Sequence, residues 1–340
     1  MIINQIYIKS FNKKLSHTFI NANSKYLHEK GFIVTIIGSE MIGKGEVCPL
    51  KNFSQETNSQ ILDSFTSFTK AIILNKDIDI NAILDIVKAE CESCPSLIFG
   101  IETAIFDLAS KEANINFLNI IKPGSSLNSI KFSNIFNQNN NDYKTKTLKL
   151  KIGIQSIEED INQINCILKS SPNDLLLRLD ANQKYLIKDF IKLSANIDVS
   201  RIDYIEEPLT NPTCESFIEL NKKTPFQYAI DESLYNIDYK QFVKQRLIST
   251  IIVKPSIYGS YYDFFDLVQY AQNNNIQLIL SSSLEKEIGN MAIIHLASYL
   301  DSKKEHGINI FSFYDDVQIN NIYKKHDNIV HVDNLIGLGV

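Results

Sequence analysis

The sequence is poor in the features that mark several classes of protein. No basic stripe runs along it, and a net charge of −5 argues against a nucleic-acid-binding protein. Its longest apolar stretch, "LIFGIETAIFDLA" at 97–109, is interrupted by Glu102 and is too short to span a bilayer. The N-terminal segment lacks the apolar core of a signal peptide. We therefore expect a cytoplasmic protein with neither a nucleic-acid nor a membrane partner.

Cysteine and histidine are also scarce. The five cysteines are an odd number with no secretory signal, which favours reduced thiols over disulfides. Cys91 and Cys94 form a CxxC pair, but no βαβ unit surrounds it and no second Cys or His pair follows. The six histidines show neither HxxxH nor HExxH spacing, and no GxSxG elbow surrounds Ser281–Ser283. The sequence thus gives no support for a zinc site, a redox dithiol or a serine nucleophile.

What is present is a succession of short apolar runs. The first 60 residues predict antiparallel strands at 2–11 and 32–39, with a turn-rich segment at 43–50. Helices are predicted over 58–72, 77–93 and 95–113. From about residue 126, eight candidate strands recur, most of them 23 to 29 residues apart, which is the period of a βα unit. They are "SIKFSNI", "TLKLKIG", "LLLRLDAN", "IDYIEEP", "QYAIDES", "TIIVKPS", "IQLILSSS" and "GINIF".

The length and this period predict a closed parallel barrel beside a smaller domain. A chain of 340 residues suits a barrel of roughly 250 residues plus an α+β domain. The C-terminal tail resumes β character and is expected to rejoin the N-terminal domain. The fold class is therefore α/β.

Charged residues lie at the ends of five successive predicted strands. They are Lys151, Asp180, Glu206, Asp231 and Lys254, at the C-terminal ends of strands two to six. Active sites of parallel barrels sit at that end. A single such charge is most simply a salt-bridged barrel residue, but five in a row favour a site.

Side-chain alternation predicts which way these residues point. Lys149 and Lys151 share one face of their strand, and Arg178, Asp180 and Asn182 share one face of the next, while leucines take the other faces. "IEEP" and "IDES" each hold two adjacent acids. We assign Glu206 and Asp231 to the interior because Tyr204 and Ala229 share their faces. Their neighbours Glu207 and Glu232 are expected to be solvated or to cap backbone.

The predicted arrangement suits proton abstraction beside a divalent cation. Strands two and six are opposite in an eight-stranded ring, so Lys151 and Lys254 would face each other with three carboxylates between them. Three acidic oxygen ligands with open positions are typical of Mg²⁺. A cation that polarises a substrate carboxylate eases removal of the α-proton, and a lysine near a dication and a second lysine deprotonates more readily.

These motifs resemble the enolase superfamily, in its muconate-lactonising subgroup. The motifs are KxK at 149–151, DxN at 180–182, "EEP" at 206–208, "DES" at 231–233 and "KP" at 254–255. Superfamily sites are known to use a Lys or His base with Mg²⁺. Within the subgroup the chain is most similar to the o-succinylbenzoate synthase family, through "GEVCPLKNFSQET", "PSLIFGIETAIFDLA", "SSSLEKEIG" and the terminal "GLGV".

The resemblance implies a fold with defined parts. It is a (β/α)7β modified TIM barrel at 111–313, preceded by an α+β capping domain at 1–110. A tail at 314–340 returns to the capping domain and completes it. The loop near "NANSKYL" (21–27) would close over the substrate.

The resemblance also implies the site residues. Asp180, Glu206 and Asp231 would bind Mg²⁺, with Mn²⁺ as a substitute. Lys151 would be the base, Lys254 the opposing cation, and Lys149 a support for Lys151. The implied substrate-binding residues are Arg178, Asn182, Ser281, Ser283 and Gly307.

The implied reaction is a step of menaquinone biosynthesis. Lys151 would remove the α-proton of 2-succinyl-6-hydroxy-2,4-cyclohexadiene-1-carboxylate, giving a metal-stabilised enediolate. The same lysine would protonate the departing hydroxide, so that syn loss of water yields 2-succinylbenzoate. The enzyme would be a hydro-lyase acting on a small carboxylate.

Two departures and two rival functions stand beside this interpretation. Only about a dozen residues, including Asn137–Asn141, separate strands one and two where the family has a helix. Strand eight, "GINIFSF", lacks the DxD of epimerases, which favours dehydration. The rivals are an N-acylamino acid racemase, dipeptide epimerase or muconate-type cycloisomerase on the same scaffold, and a non-catalytic binding barrel, against which the five intact charges argue.

Overall fold

The N-terminal part of the protein pairs a three-stranded antiparallel sheet with helices. The computed structural model describes residues 1–20, 25–51, 53–136, 145–300, 304–308 and 329–340. The strands pair in chain order, and three helices follow them. These elements are β1 (Gln5–Ile20), β2 (Lys25–Ile37), β3 (Ile42–Val47), α1 (Asn58–Ala71), α2 (Ile80–Cys91) and α3 (Pro95–Glu112).

Local sequence explains where these helices begin. Thr57 and Gln60 form a reciprocal capping box at the start of α1, a feature that contributes about 1 kcal/mol. Asp79 accepts from Asn81 N at the start of α2. Pro95 occupies the first turn of α3, where its missing N–H has no cost. The three predicted helices are therefore confirmed.

The segment predicted to be turn-rich is instead strand β3. Its glycines serve close packing, because the strand runs against the backbone of α3. A Cβ on Gly45 would lie 1.7 Å from the Gly100 carbonyl oxygen, and one on Gly43 would lie 2.0 Å from that of Ala104. The prediction was wrong over 43–47, because glycines required by a neighbouring helix look the same in sequence as glycines required by a turn, whereas residues 48–50 do lie outside helices and strands.

The rest of the chain forms a parallel barrel with outer helices. The barrel strands are β5 (Asn134–Ile135), β6 (Thr147–Lys151), β7 (Leu176–Asp180), β8 (Ile202–Glu206), β9 (Tyr228–Ile230), β10 (Thr250–Val253) and β11 (Gln277–Leu280), with the short β4 (Ile130–Lys131) before them. These seven strands pair in the order β11-β10-β9-β8-β7-β6-β5, and every pair is parallel.

Helices alternate with these strands. They are α4 (Phe117–Ile121), α5 (Ile157–Ser170), α6 (Ile187–Ser194), α7 (Cys214–Lys223), α8 (Tyr239–Lys244), α9 (Pro255–Tyr258), α10 (Tyr261–Asn273) and α11 (Glu287–Tyr299). Short 3₁₀ turns occupy Val199–Arg201 and Glu232–Tyr235.

Residues 306 and 307 close the ring. His306 bridges Phe132 on one side, Gly307 bridges Ser281 on the other, and both bridges are parallel. This segment is the start of the predicted eighth strand, whose remainder lies outside the described residues. The connection with Asn137–Asn141 and the tip of the "NANSKYL" loop also lie outside them. The predicted α/β fold class, a barrel with an α+β capping domain, is confirmed.

The alternation of side chains separates two apolar regions. Tyr204, Ala229, Ile252 and Ile279 form a small cluster inside the barrel. The residues between them on the same strands, such as Ile205 and Ile251, belong to the main core under the helices. The prediction that Tyr204 and Ala229 point inward follows directly from this pattern.

The C-terminal tail packs on both parts of the molecule. Strand β12 (Ile329–Val330) pairs antiparallel with β4. Asn116 Nδ2 donates to Val332 O at 2.6 Å, and Leu338 N donates to Asp107 Oδ1 of α3 at 3.0 Å. The exact boundaries at residues 110 and 313 stay predictions, and 314–328 lie outside the described residues. Among the described helices none has the length and apolar character needed to cross a membrane.

Candidate active site

The carboxyl ends of the barrel strands bring the predicted site residues to one end of the interior. Lys151 is in register with Asp180, and Asp180 is in register with Glu206. Glu206 is in turn paired with Ala229, two residues before Asp231, which therefore follows on the same face. Asp180, Glu206, Asp231 and Lys254 are all buried.

Lys149 lies at the centre of this charge cluster. Its Nζ is 2.9 Å from Asp180 Oδ2 and 2.9 Å from both carboxylate oxygens of Glu206. Burial alone would lower the pKa of Lys149, but Asp180 and Glu206 outweigh it and hold the pKa well above its usual value. Lys149 is therefore a permanent cation that orients two of the three acids.

Lys254 is held from two directions. Its Nζ forms an ion pair with the Asp231 carboxylate, and it lies 4.6 Å from the ring centroid of Phe53, in the segment after β3. A cation above an aromatic face is attracted by the ring quadrupole. Phe53 was not predicted from the sequence, because nothing local connects it with a lysine two hundred positions away.

Lys151 has the electrostatic character of a base. Burial lowers its pKa, and the neighbouring ammonium groups of Lys149 and Lys254 lower it further, against the opposing effect of Asp180 and Glu206. The direction is opposite to that for Lys149 on the same face of the same strand. Of the two lysines, Lys151 is therefore the one suited to give up and take back a proton.

The three acids are crowded together. Burial raises the pKa of Glu206, and the charges of Asp180 and Asp231 add to this effect. In Asp180 the lysines outweigh burial and lower its pKa. Such a group favours additional positive charge, and its oxygen donors on three adjacent strands are of the type that Mg²⁺ prefers.

The three acidic side chains of the site contact lysines and do not converge on a common point. Among the described residues, no three His, Cys, Asp or Glu side chains converge as a set that could hold a metal. Asp180 and Glu206 are engaged by Lys149, and Asp231 by Lys254. The donor types and their positions fit a divalent cation, whose binding would require the carboxylates to turn from the lysines.

The second acid of "IEEP" has a structural role that differs from simple solvation. Glu207 is 1% exposed. Its Oε1 accepts from Asp231 N at 2.6 Å and from Ser233 N at 2.8 Å, and Gln183 Nε2 donates to its Oε2 at 2.8 Å. Glu207 therefore caps the backbone that carries Asp231, which was one of the two predicted roles. Glu232 is partly buried, and burial followed by Asp231 raises its pKa to about 8.

Arg178 lies below the charge cluster, inside the barrel. Its Nε is 3.0 Å from Asp203 Oδ2, and its Nη1 donates to Glu305 O at 2.6 Å. A register shift in the β7–β8 pairing lies beside Asp203, where an additional residue in β8 changes the alternation. Nη2 of Arg178 is buried and has no hydrogen-bond partner in the part of the chain that the structure describes. Its role in substrate binding stays a prediction.

The other predicted substrate-binding residues lie around the same end of the barrel. Asn182 follows β7 with φ of +41°, and its N–H donates to Asp180 Oδ1 at 3.2 Å. Ser281 bridges Gly307 just beyond β11. Ser283 is buried, and its Oγ has no hydrogen-bond partner among the described residues. These positions would allow the residues to line a substrate pocket. Their roles in substrate binding stay predictions.

Comparisons with known proteins agree with this architecture. A family model described as "Enolase C-terminal domain-like" matches residues 137–340, and one described as "MenC, N-terminal domain" matches residues 6–108. The o-succinylbenzoate synthase of Aliivibrio fischeri (strain MJ11) is 26% identical over 275 residues, covering 79% of this chain and 78% of the relative. That of Vibrio cholerae serotype O1 (strain M66-2) is 27% identical over 300 residues, covering 86% and 85%.

A solved structure supports the fold over the whole chain. The dipeptide epimerase from Enterococcus faecalis V583, complexed with Mg and the dipeptide L-Leu-L-Tyr, has a TM-score of 0.85 and 22% identity, covering 100% of this chain and 99% of its own. At that identity the likeness carries the fold alone. The sequence resemblance stated for the motifs is confirmed by the two family models.

Proposed function

Since this chain belongs to the enolase superfamily, we propose that it catalyses the o-succinylbenzoate synthase reaction. The membership makes it an enzyme, as the motifs predicted. The observation that carries the specific reaction is the match of residues 6–108 to the MenC N-terminal domain, together with relatives named o-succinylbenzoate synthase. The reaction is the syn elimination of water from 2-succinyl-6-hydroxy-2,4-cyclohexadiene-1-carboxylate.

Lys151 carries the proton in this proposal. Its lowered pKa makes the neutral amine accessible, so Nζ takes the α-proton of the substrate. The same ammonium then gives a proton to the departing hydroxide on the same face, and water leaves as the ring becomes aromatic. Because one lysine both removes the α-proton and protonates the leaving hydroxide, the two groups must leave from the same face, which is a syn elimination.

The remaining charges bind and stabilise the substrate carboxylate. Asp180, Glu206 and Asp231 would hold Mg²⁺, which supplies Lewis-acid polarisation of the carboxylate when bound. Lys254 lies across the cavity and stabilises the negative charge that develops there. Lys149 fixes the orientation of Asp180 and Glu206 through its 2.9 Å contacts. Asn182, Ser281, Ser283, Gly307 and Arg178 are proposed to surround the rest of the substrate.

The wider setting belongs to the same proposal. The reaction places the protein in menaquinone biosynthesis in the cytoplasm, with a small carboxylate as its partner. Residues 1–110 would cap the barrel of residues 111–313, with the tail at 314–340 completing the cap. The hydrogen bond from Leu338 N to Asp107 Oδ1 supports that last point.

A second candidate function is 1,1-proton transfer on an N-acyl amino acid or dipeptide. The presence of two lysines, Lys151 at the end of β6 and Lys254 after β10, favours it. Racemisation needs a base on each face of the α-carbon, and Lys151 and Lys254 meet that requirement. The ion pair of Lys254 with Asp231 argues against it, because Lys254 Nζ is already engaged by a carboxylate.

The test is a comparison of the two reactions with purified full-length protein. We expect Mg²⁺-dependent dehydration to exceed racemisation of N-succinyl or N-acetyl amino acids in kcat/KM. Lys151→Ala should reduce dehydration by at least about 10³-fold, since it removes the only proposed proton carrier.

Two outcomes would contradict the proposal. Faster racemisation than dehydration would assign the second function, and unchanged turnover in Lys151→Ala would remove Lys151 as the base. Circular dichroism and calorimetric binding of 2-succinylbenzoate serve as controls, because the variant should fold and still bind the product. Lys184→Ala, a substitution on the loop after β7 outside the charge cluster, is the matched lysine control.

A further inference from the structure

A second group of buried acids lies between the N-terminal domain and the barrel. Glu29 on β2, Glu46 on β3 and Glu285 before α11 are each less than 4% exposed. The proposed reaction uses none of them. Burial of three carboxylates is costly unless each is neutralised or accepts hydrogen bonds, so their contacts indicate what they hold in place.

Glu46 holds the start of a barrel helix. Its Oε1 accepts from Lys286 N at 2.7 Å and its Oε2 from Gly289 N at 2.9 Å, two of the unpaired amides at the N-terminus of α11. Lys286 provides no side-chain cap of its own. A Cβ on Gly289 would lie 2.8 Å from Glu285 Cβ and 3.2 Å from Glu46 Oε2, so a side chain there would crowd both acids. The cap for this helix therefore comes from the N-terminal domain.

Glu285 holds the loop that leads into the same helix. Its Oε2 accepts from Ser283 N at 2.6 Å and from the Ser282 hydroxyl. Its Oε1 accepts from the Ser256 hydroxyl, two residues beyond Lys254. Glu285 thus joins the segment after β11 to the segment after β10.

The loop between these anchors is strained. Leu284 has φ of +72°, in the left-handed region that a leucine rarely adopts. Such a conformation persists only where its surroundings determine it, and it concentrates at functional sites. Leu284 is buried in a cluster with Leu15 and Leu50 of the N-terminal domain and Ile257 of the barrel. The N-terminal domain therefore contacts this loop through an apolar surface as well as through Glu46.

We propose that Glu46 is a positioning residue that sets the substrate pocket by fixing residues 281–289 from the N-terminal domain. With Glu285 it holds the backbone that presents Ser281 and Ser283 at the mouth of the barrel. Ser283 Oγ, buried and without a partner among the described residues, is then available to the substrate. The identity of that substrate rests on the proposed function, whereas the positioning does not.

The experiment compares Glu46→Ala with Glu102→Ala in the full-length protein. Glu102 is a matched control, because it is also a buried carboxylate of the N-terminal domain that accepts from a barrel amide, Tyr261 N at 2.8 Å, at the start of α10. Removing Glu102 therefore costs comparable stability without touching the loop. Hydrogen–deuterium exchange of residues 281–290 is measured together with KM and kcat for dehydration.

We expect Glu46→Ala to speed exchange at Lys286 and Gly289 by at least about tenfold and to raise KM about tenfold, with kcat changed less than about threefold. Substrate contacts remote from the reacting carbon affect binding more than the chemical step. Glu102→Ala should change neither exchange in this loop nor KM. Glu46→Gln, which keeps the shape and one accepting oxygen, should fall between and replaces the alanine variant if that does not fold.

Equal KM effects in the two variants would overturn the proposal, since they would reflect stability alone. Unchanged exchange in Glu46→Ala or Glu46→Gln would also overturn it. Absence of dehydration by the wild-type protein would refute the proposed function instead, and the exchange comparison would still decide whether Glu46 positions the loop.

Discussion

At the scale of single residues, the neighbouring charges decide the pKa of side chains of the same type. Lys149 and Lys151 are two residues apart on one face, yet their pKa values move in opposite directions. Two carboxylates in direct contact with Lys149 outweigh its burial, whereas in Lys151 burial is the largest effect and outweighs the attraction of Asp180 and Glu206, with the other ammonium groups adding to it. Two lysines on one strand can therefore differ in how readily they lose a proton, because their surroundings differ and not their residue type.

Glu29 provides a test of the same electrostatics on stability. Burial raises its pKa to about 8, with Glu285 and Glu46 adding to the shift, and Cys48 Sγ donates to its Oε1 at 3.5 Å. A pKa raised on folding gives stability that is present below about pH 4.5 and is lost as the pH rises through about 8. Glu29→Gln should therefore increase the free energy of unfolding by a few kcal/mol at pH 9.

The measurement is urea unfolding of both proteins at pH 5 and pH 9. The difference between them should be small at pH 5, where the folded wild-type protein keeps the proton. Two results would contradict the raised pKa of Glu29. One is a difference in unfolding free energy that does not grow with pH, and the other is a wild-type protein more stable than Glu29→Gln at pH 9. Glu219→Gln, on an exposed part of α7, is the control.

At the scale of elements, the contact of β3 with α3 depends on the absence of side chains. Gly43, Gly45 and Gly100 let the two backbones approach, and α3 is buried over nearly its whole length. The close packing of β3 on α3 fixes the place of β3, the strand that carries Glu46. The proposed role of Glu46 depends on that placement.

Gly45→Ala should be severely destabilising. The added Cβ would lie 1.7 Å from the Gly100 carbonyl oxygen, so β3 and α3 must separate. We expect a loss of at least about 3 kcal/mol, at the upper end of overpacking effects. Thermal unfolding measures it, and Gly307→Ala is the control, because the atom nearest to its added Cβ, Ser281 Oγ, is 3.5 Å away, an ordinary contact distance. Equal losses in the two variants would show that crowding of the added Cβ does not govern the effect at Gly45.

Sequence periodicity was sufficient for the barrel strands and for the residues on them. Lys151, Asp180 and Glu206 could be placed on one face because alternation in a strand is a local rule. The role of Gly45 could not be predicted, because it depends on a helix more than fifty residues away. The same holds for Glu46 and Phe53, whose partners are backbone amides or a lysine brought close only by the tertiary fold.

At the scale of the whole molecule, the three buried acids at the mouth of the barrel link cation binding to stability. Asp180, Glu206 and Asp231 are buried near one another, and a dication that binds only the folded state stabilises it. Mg²⁺ at about 100 times its Kd should raise the free energy of unfolding by about 2.7 kcal/mol. Differential scanning calorimetry with and without Mg²⁺ measures the shift.

Asp231→Asn should abolish most of this stabilisation, since it removes one charged ligand and leaves two. Asp263→Asn, on the exposed start of α10, should retain all of it. A Mg²⁺ effect of equal size in both variants would place the ion elsewhere, and no effect in the wild-type protein would refute the assignment of the three ligands.

The path of the chain has a consequence for the order in which the protein can form. Asp107 lies in the first third of the chain, yet its Oδ1 accepts from Leu338 N, two residues before the end. Its Oδ2 accepts from Lys44 N at 3.0 Å. During synthesis on a ribosome, α3 is made long before Leu338, so the N-terminal domain gains this hydrogen bond only after the barrel sequence has been translated. Until then the Asp107 carboxylate accepts from the backbone of Lys44 and lacks the donor from the tail.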